Sequence, residues 1–197
     1  MKSKDIFRLL MNPFTRIAGL PAFVLGLIFI VLIGFFGAAN GVVFDGILDM
    51  HFPGKVTIVN SFLYLAIDLV SLILVMFFAG LFVSKTFRFV DILGTMTLSK
   101  APFLILALVA YFVTVPEMKD IIKDPIILFQ SVSFLVILIL SLPIIIWNIT
   151  LIYNAFKVSC DVKGTSLNLT VIYGLLLSEI ISKVLIYFLI KNSFQLS

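Results

Sequence analysis

Charge, cysteine and histidine are what this chain has least of. Only 12% of its 197 residues are Asp, Glu, Lys or Arg, where an ordinary soluble domain has about a quarter. With 62% of residues apolar and a mean hydropathy of +1.25, too little polar surface is left to face water on every side, which excludes a water-soluble enzyme. The single cysteine, Cys160, excludes an internal disulfide and any multi-cysteine metal centre. The single histidine, His51, excludes a histidine pair. Basic residues never run together, so the formal charge of +4 carries no sign of nucleic-acid binding. Phosphate-loop, H-E-x-x-H and G-x-S-x-G patterns are missing; no catalytic residue and no cofactor is expected.

What is present is a set of five long apolar stretches, at Ile17 to Ala39, Ser61 to Val83, Thr95 to Val115, Pro125 to Phe156 and Leu169 to Ile190. Each is long enough for the roughly 20 residues that cross a hydrocarbon core of about 30 Å. The expected fold is therefore all-α, an integral bundle of five transmembrane helices over residues 17–197, preceded by a short segment, 1–16. In that segment Phe7, Leu10 and Phe14 recur at helical spacing beside Lys4 and Arg8, as in a helix lying in the membrane interface. The third stretch is the least apolar because it contains Lys100, which is expected to reach the interface from a helix end. Pro143 in the fourth should kink it, with Trp147 and Tyr153 in the headgroup layer. The first stretch is too long for a signal peptide, despite the small residues Gly37-Ala38-Ala39.

Lysine and arginine assign sides. Lys2, Lys4, Arg8, Arg16, Lys85, Arg88, Lys100, Lys157 and Lys163 fall on one side, nine in all, and Lys55, Lys119, Lys123 and Lys191, four in all, on the other. The excess predicts a cytoplasmic N-terminus and, with an odd number of spans, an outer C-terminus. Asn148-Ile-Thr150 and Asn168-Leu-Thr170 then lie on the cytoplasmic side and remain unglycosylated. The outer connections hold Asp45, Asp49, Glu117, Asp120 and Asp124. Val42 to Met50 is apolar enough to lie on the membrane surface, and Asp45, Asp49 and His51 read as a solvated loop in preference to a metal site.

Ionisable groups inside spans are costly and draw attention first. Asp68 in the second span and Glu179 and Lys183 in the fifth lie at similar depths if those helices are neighbours, about 10 Å below the outer end. They are expected to cluster. The first reading is a lock between helices, in which opposite charges offset each other's desolvation; the second is an ion or proton relay, or a ligand cavity. Gln130, Ser133, Ser141 and Asn148 form a polar stripe on one face of the fourth span, suited to interhelical hydrogen bonds. Ala18, Ala22, Gly26, Gly34 and Ala38 recur every four or eight residues along the first, which suits close helix packing within the chain or between copies. Between the second and third spans, Lys85, Arg88 and Asp91 mark a cytoplasmic loop suited to anionic headgroups or to docking a partner.

Three segments carry a family resemblance. Asn12-Pro13-Phe14-Thr15-Arg16-Ile17 precedes the first span. Phe89-Val90-Asp91-Ile92-Leu93-Gly94 runs into Ala101-Pro102-Phe103, and Trp147 is followed by Leu151, Tyr153, Ala155, Phe156 and Lys157. Together with the five spans, these resemble the Yip domain family over nearly the whole chain. The resemblance implies a five-span membrane domain with no catalytic residue. Eukaryotic members are Rab-interacting proteins of the secretory pathway with a long cytoplasmic N-terminal region. The roughly sixteen residues here are more similar to the short bacterial members, which points to a bacterial cytoplasmic membrane in preference to the Golgi or endoplasmic reticulum. The function expected is a non-enzymatic membrane organiser or adaptor acting through lipid and membrane-protein contacts. The alternative is a small transporter or channel subunit using Asp68, Glu179 and Lys183.

Overall fold

The computed structural model describes residues 3–114, 122, 124 and 126–191. Lys2, Val115, Glu117, Lys119, Asp120, Lys123 and Pro125, which enter the topology and span expectations above, lie outside the described residues. The fold is all-α. Its helices are α1 (Ser3–Met11), α2 (Gly19–Ala39), α3 (Ile58–Val83), α4 (Phe89–Ser99), α5 (Phe103–Val109), α6 (Ile127–Gln130), α7 (Val132–Cys160) and α8 (Gly164–Ile186). Five helical segments are long and apolar enough to cross a membrane: Gly19–Ala39, Ile58–Val83, Phe89–Phe112, Val132–Cys160 and Gly164–Ile190. The chain is a multi-pass membrane protein.

Local chemistry explains where the spans begin and end. Thr57 caps α3, its Oγ1 accepting from the Asn60 amide at 3.2 Å. The third span starts at Phe89, earlier than expected, because Arg88 grips Asp91 in the first turn at 2.9 and 3.0 Å. That span bends at Lys100-Ala101-Pro102: proline has no amide to give the Leu98 carbonyl, which instead accepts from Ala101 in a tighter turn. The fourth starts late, at Val132, because Ser131 is extended, caps α7 through Phe134, and separates it from the short α6. It is continuous through Pro143. Asp161 in the left-handed region and Gly164 at φ +70° turn the chain directly into α8.

The third span is the pillar of the bundle. α4 packs against both α2 and α7, and α3 packs against α8. Ile92, Thr95, Met96, Thr97 and Ser99 are completely buried. Most of the lipid-facing surface belongs to the other spans, through side chains such as Val24, Ile28, Val31, Leu74 and Ile139, and the third span adds Leu108, Tyr111 and Phe112 at its far end. The low hydropathy of the third stretch thus reflects the protein enclosing residues 92–100, which satisfies hydroxyls that lipid would not. Lys100 follows the same logic and corrects the expectation of an interfacial lysine. It stands eleven residues after Phe89, about 17 Å along the span, and is 2% exposed. It therefore leaves the count of cytoplasmic cations, which falls from nine to eight.

The small-residue stripe of the first span is filled within the chain. A Cβ on Gly26 would lie 2.6 Å from the Leu98 amide nitrogen, one on Gly34 would meet the Phe62 ring at 2.7 Å, and Ala22 is fully buried. Gly94 of α4 lies against the Gly19 carbonyl, with no room for a side chain. The interfacial helix is shorter than its apolar pattern suggested. Pro13 opens a separate turn, Pro13–Thr15, that buries Phe14, whereas Phe7 and Leu10 stay exposed on α1.

Gly26→Ala should strain backbone that cannot retreat, at about 1–3 kcal/mol, and lower the melting temperature by several degrees. Val24→Ala on the exposed side of the same helix should change it far less. Thermal unfolding of both variants in one detergent checks this; equal shifts would refute the α2–α4 contact.

Candidate functional site

The connection between α2 and α3, residues 40–57, folds back into the bundle. An antiparallel bridge from Val43 to His51, with both N···O distances 2.9 Å, closes it into a compact loop. Val42, Phe44 and Ile47 are buried, and Phe44 stacks on Phe103 at 5.2 Å. The loop therefore does not lie on the membrane surface. Its apolar residues fill the space opened by the bend in the third span, and Asn40 donates to the Ala107 carbonyl at 2.8 Å.

The backbone of one residue of this loop, Ile47, is held by two intramembrane charges. The Ile47 amide donates to Glu179 Oε2 at 2.6 Å, and the Ile47 carbonyl accepts from Lys100 Nζ at 2.7 Å. Leu48 donates to the same carboxylate at 3.4 Å. Gly46 lies against the other Glu179 oxygen, where a Cβ would clash. Lys100 also faces the Phe103 ring, 5.1 Å from its centroid. An anion and a cation from different spans thus satisfy the N–H and the C=O of Ile47, which belong to the successive peptide units on either side of its Cα, and moderate each other's desolvation.

Lys183 continues the network outward. Its Nζ lies 2.8 Å from Asp49, 3.5 Å from Asp45 and 3.9 Å from Glu179. His51 Nδ1 is 2.5 Å from Asp45. The ligand atoms of Asp45, Asp49 and His51 lie within 4.8 Å of one another, close enough to hold a metal ion. The Lys183 ammonium already supplies positive charge between the two carboxylates, and the donor set needs no ion to explain its shape. Burial opposes ionisation of Asp49, but the Lys183 hydrogen bond and charge, aided by His51 and the Met50 amide, hold its carboxyl below the usual range.

Asp68 takes a different partner from the one expected. Lys183 turns to the loop, whereas Asp68 Oδ1 accepts from the Ser182 hydroxyl on α8. The charge most strongly opposite to Asp68 is Lys100, with Glu179 and Asp45 acting on it as like charges. Sequence reasoning missed Lys100 and Ser182. The signal for Lys100 was present: a lysine inside an apolar run two residues before a proline marks a bend with free carbonyls. Ser182 had no such signal.

The polar stripe of the fourth span is divided. Gln130 ends α6 and so does not share the register of α7. Ser133 accepts from the Thr114 amide at 3.2 Å near the start of α7. Ser141 is buried and donates to Leu138 of its own helix at 2.8 Å. Only Asn148 reaches another span, donating to the Ser99 carbonyl at 2.8 Å. The expected docking loop is also shorter. Only residues 84–88 link the two helices, Lys85 and Arg88 are exposed, and Asp91 belongs to the first turn of α4. Ser84 fixes this link by donating to the Cys160 carbonyl at 2.7 Å.

No known protein-family model, curated protein or solved structure matches this chain.

Lys100→Met leaves the Ile47 carbonyl unpaired and removes the cation that acts on both Asp68 and Glu179, and should cost about 3–5 kcal/mol. Combined with Glu179→Gln, the loss should fall short of the sum of the singles by about 1–3 kcal/mol; strict additivity in thermal unfolding would refute the clamp. Because the folded carboxyl of Asp49 is depressed, its pairing with Lys183 stabilises the protein above the unfolded value of about 3.9 and is lost as pH falls through the folded value. The stability difference between wild type and Asp49→Asn should therefore shrink as pH is lowered from 6 toward about 3. A constant difference would refute the ion pair.

Proposed function

We propose that this chain is a non-enzymatic multi-pass membrane protein of the Yip-domain type, an organiser or adaptor that works through contacts with lipid and other membrane proteins. The observation that carries the reading is the docking of α1. Trp147 Nε1 donates to the Leu10 carbonyl and Asn154 Nδ2 to the Met11 carbonyl, both at 2.9 Å. These bonds hold a short amphipathic helix against the side of α7. Ile6, Phe7 and Leu10 remain exposed, with Arg8 on the same element. An apolar edge flanked by cationic charge suits an anionic membrane interface.

The segments behind the family resemblance sit at packing points, which supports a structural role for them. Phe14 is buried, Gly94 abuts Gly19, Pro102 bends the third span, and Leu151, Ala155 and Phe156 line the core. Glu179, Lys183 and Lys100 are engaged in holding the loop, which favours the lock over a relay for those three groups. The α1 end faces the cytoplasm in this reading, because the retained cations Arg8, Arg16, Lys85, Arg88, Lys157 and Lys163 gather there, and the membrane is a bacterial cytoplasmic one.

A reporter fused after Ser197 should be active only outside the cytoplasm; cytoplasmic activity would refute the orientation. The only tryptophan in the chain, Trp147, reports on α1. Phe7→Ser with Leu10→Ser should red-shift its emission in vesicles containing anionic lipid. The same change should reduce the set of membrane proteins and lipids that co-purify from native membranes under mild detergent. An unchanged set would count against the organiser role.

A further inference from the structure

We propose that the buried oxygen face between α3 and α8, centred on Asp68, binds one small monovalent cation, with Na+ the ion its donors fit. The inference rests on charge, unpaired atoms and register, and it is independent of the organiser reading.

Four carboxylates, Asp45, Asp49, Asp68 and Glu179, act on one another through this network against two ammonium groups, Lys100 and Lys183. Lys183 is taken up by Asp49, Asp45 and Glu179, and Lys100, which donates to the neutral Ile47 carbonyl, is shared as a counter-charge between Asp68 and Glu179. A protonated His51, exposed beside Asp45, would remove only one of the two excess charges. Asp68 is the carboxylate furthest from water, 1% exposed, and one that shares its single counter-charge with Glu179 is costly there.

Unpaired atoms locate where compensation is needed. Asp68 Oδ2 and Ser71 Oγ are both buried, and neither has a hydrogen-bond partner among the described residues. They stand three residues apart on one face of α3. Across from them, the Asp68–Ser182 hydrogen bond and the Met76–Gly174 contact fix an antiparallel register that sets Ser71 level with Ser178 and Glu179. Ser178 and Ser182 are fully buried. Their hydroxyls donate to the Gly174 carbonyl and to Asp68, so each keeps oxygen lone pairs for a further contact. The proposed ion would take its ligands from one carboxylate and three hydroxyls, an oxygen-only set, which is the preference of a hard cation. A single carboxylate in a dry interior suits a monovalent ion better than Mg2+, which sheds its waters reluctantly.

The test uses the purified full chain in nanodiscs. Binding of radioactive Na+ and thermal unfolding are followed in NaCl against N-methyl-D-glucamine chloride at fixed ionic strength. Saturable binding of one Na+ per chain is expected, with the melting temperature rising by about 3–5 °C for each tenfold increase in Na+ above its dissociation constant. Asp68→Asn should abolish both effects. Ser71→Ala, which removes one donor without altering charge, should weaken binding by about tenfold, with the melting temperature in N-methyl-D-glucamine chloride preserved. Asp49→Asn should still bind. Equal melting temperatures in the two salts, binding retained in Asp68→Asn, wild-type affinity in Ser71→Ala, or loss of binding in Asp49→Asn would each overturn the proposal.

Discussion

The backbone of Ile47 is the point on which the arrangement of this bundle depends. A loop that enters a membrane protein brings backbone amides and carbonyls into a place where water cannot serve them, and each unserved group costs several kcal/mol. Here Glu179 takes the amide and Lys100 the carbonyl. Neither charge would be tolerable alone in the interior, and the N–H and C=O of Ile47 give each a partner of the right polarity. The bend at Pro102 belongs to the same solution, because it opens the space that Phe44 and Ile47 fill beside Phe103.

That arrangement reverses the usual ranking of spans. By hydropathy the third is the poorest membrane helix of the five, yet it is the one the others surround. α2 approaches it through Gly26, and α7 binds it through Asn148 to Ser99 and Ser159 to Thr95. Thr95, Thr97 and Ser99 also return hydroxyl bonds to their own helix. These devices allow the polar stretch from Thr95 to Lys100 to cross because its neighbours shield it from the lipid.

Much of this was legible in the sequence, for identifiable reasons. Five spans follow from run length, and the close approach of α2 follows from the spacing of its small residues. Asp68, Glu179 and Lys183 stood out because carboxylates and amines are scarce in apolar runs. What could not be read was which partner each would choose. Lys183 chooses Asp49 and Asp45 because the loop folds inward, and nothing in the spacing of Val42 to Met50 distinguishes a loop that enters from one that lies flat. Gln130 left the stripe that ran to Asn148 for a simpler reason: Ser131 interrupts the helix, and a helical wheel carries no information across a break.

The clamp also bears on the order in which the protein is built. Lys100 belongs to the third span and Glu179 to the fifth, and the segment they hold lies before the second. During synthesis, Ile47 and Lys100 are in place long before Glu179 emerges, so the loop has an acceptor for its amide only once the last helix has entered. Closure of this end of the bundle is therefore the final event of assembly, and a chain that stops before α8 has a full set of earlier helices with no means of sealing them.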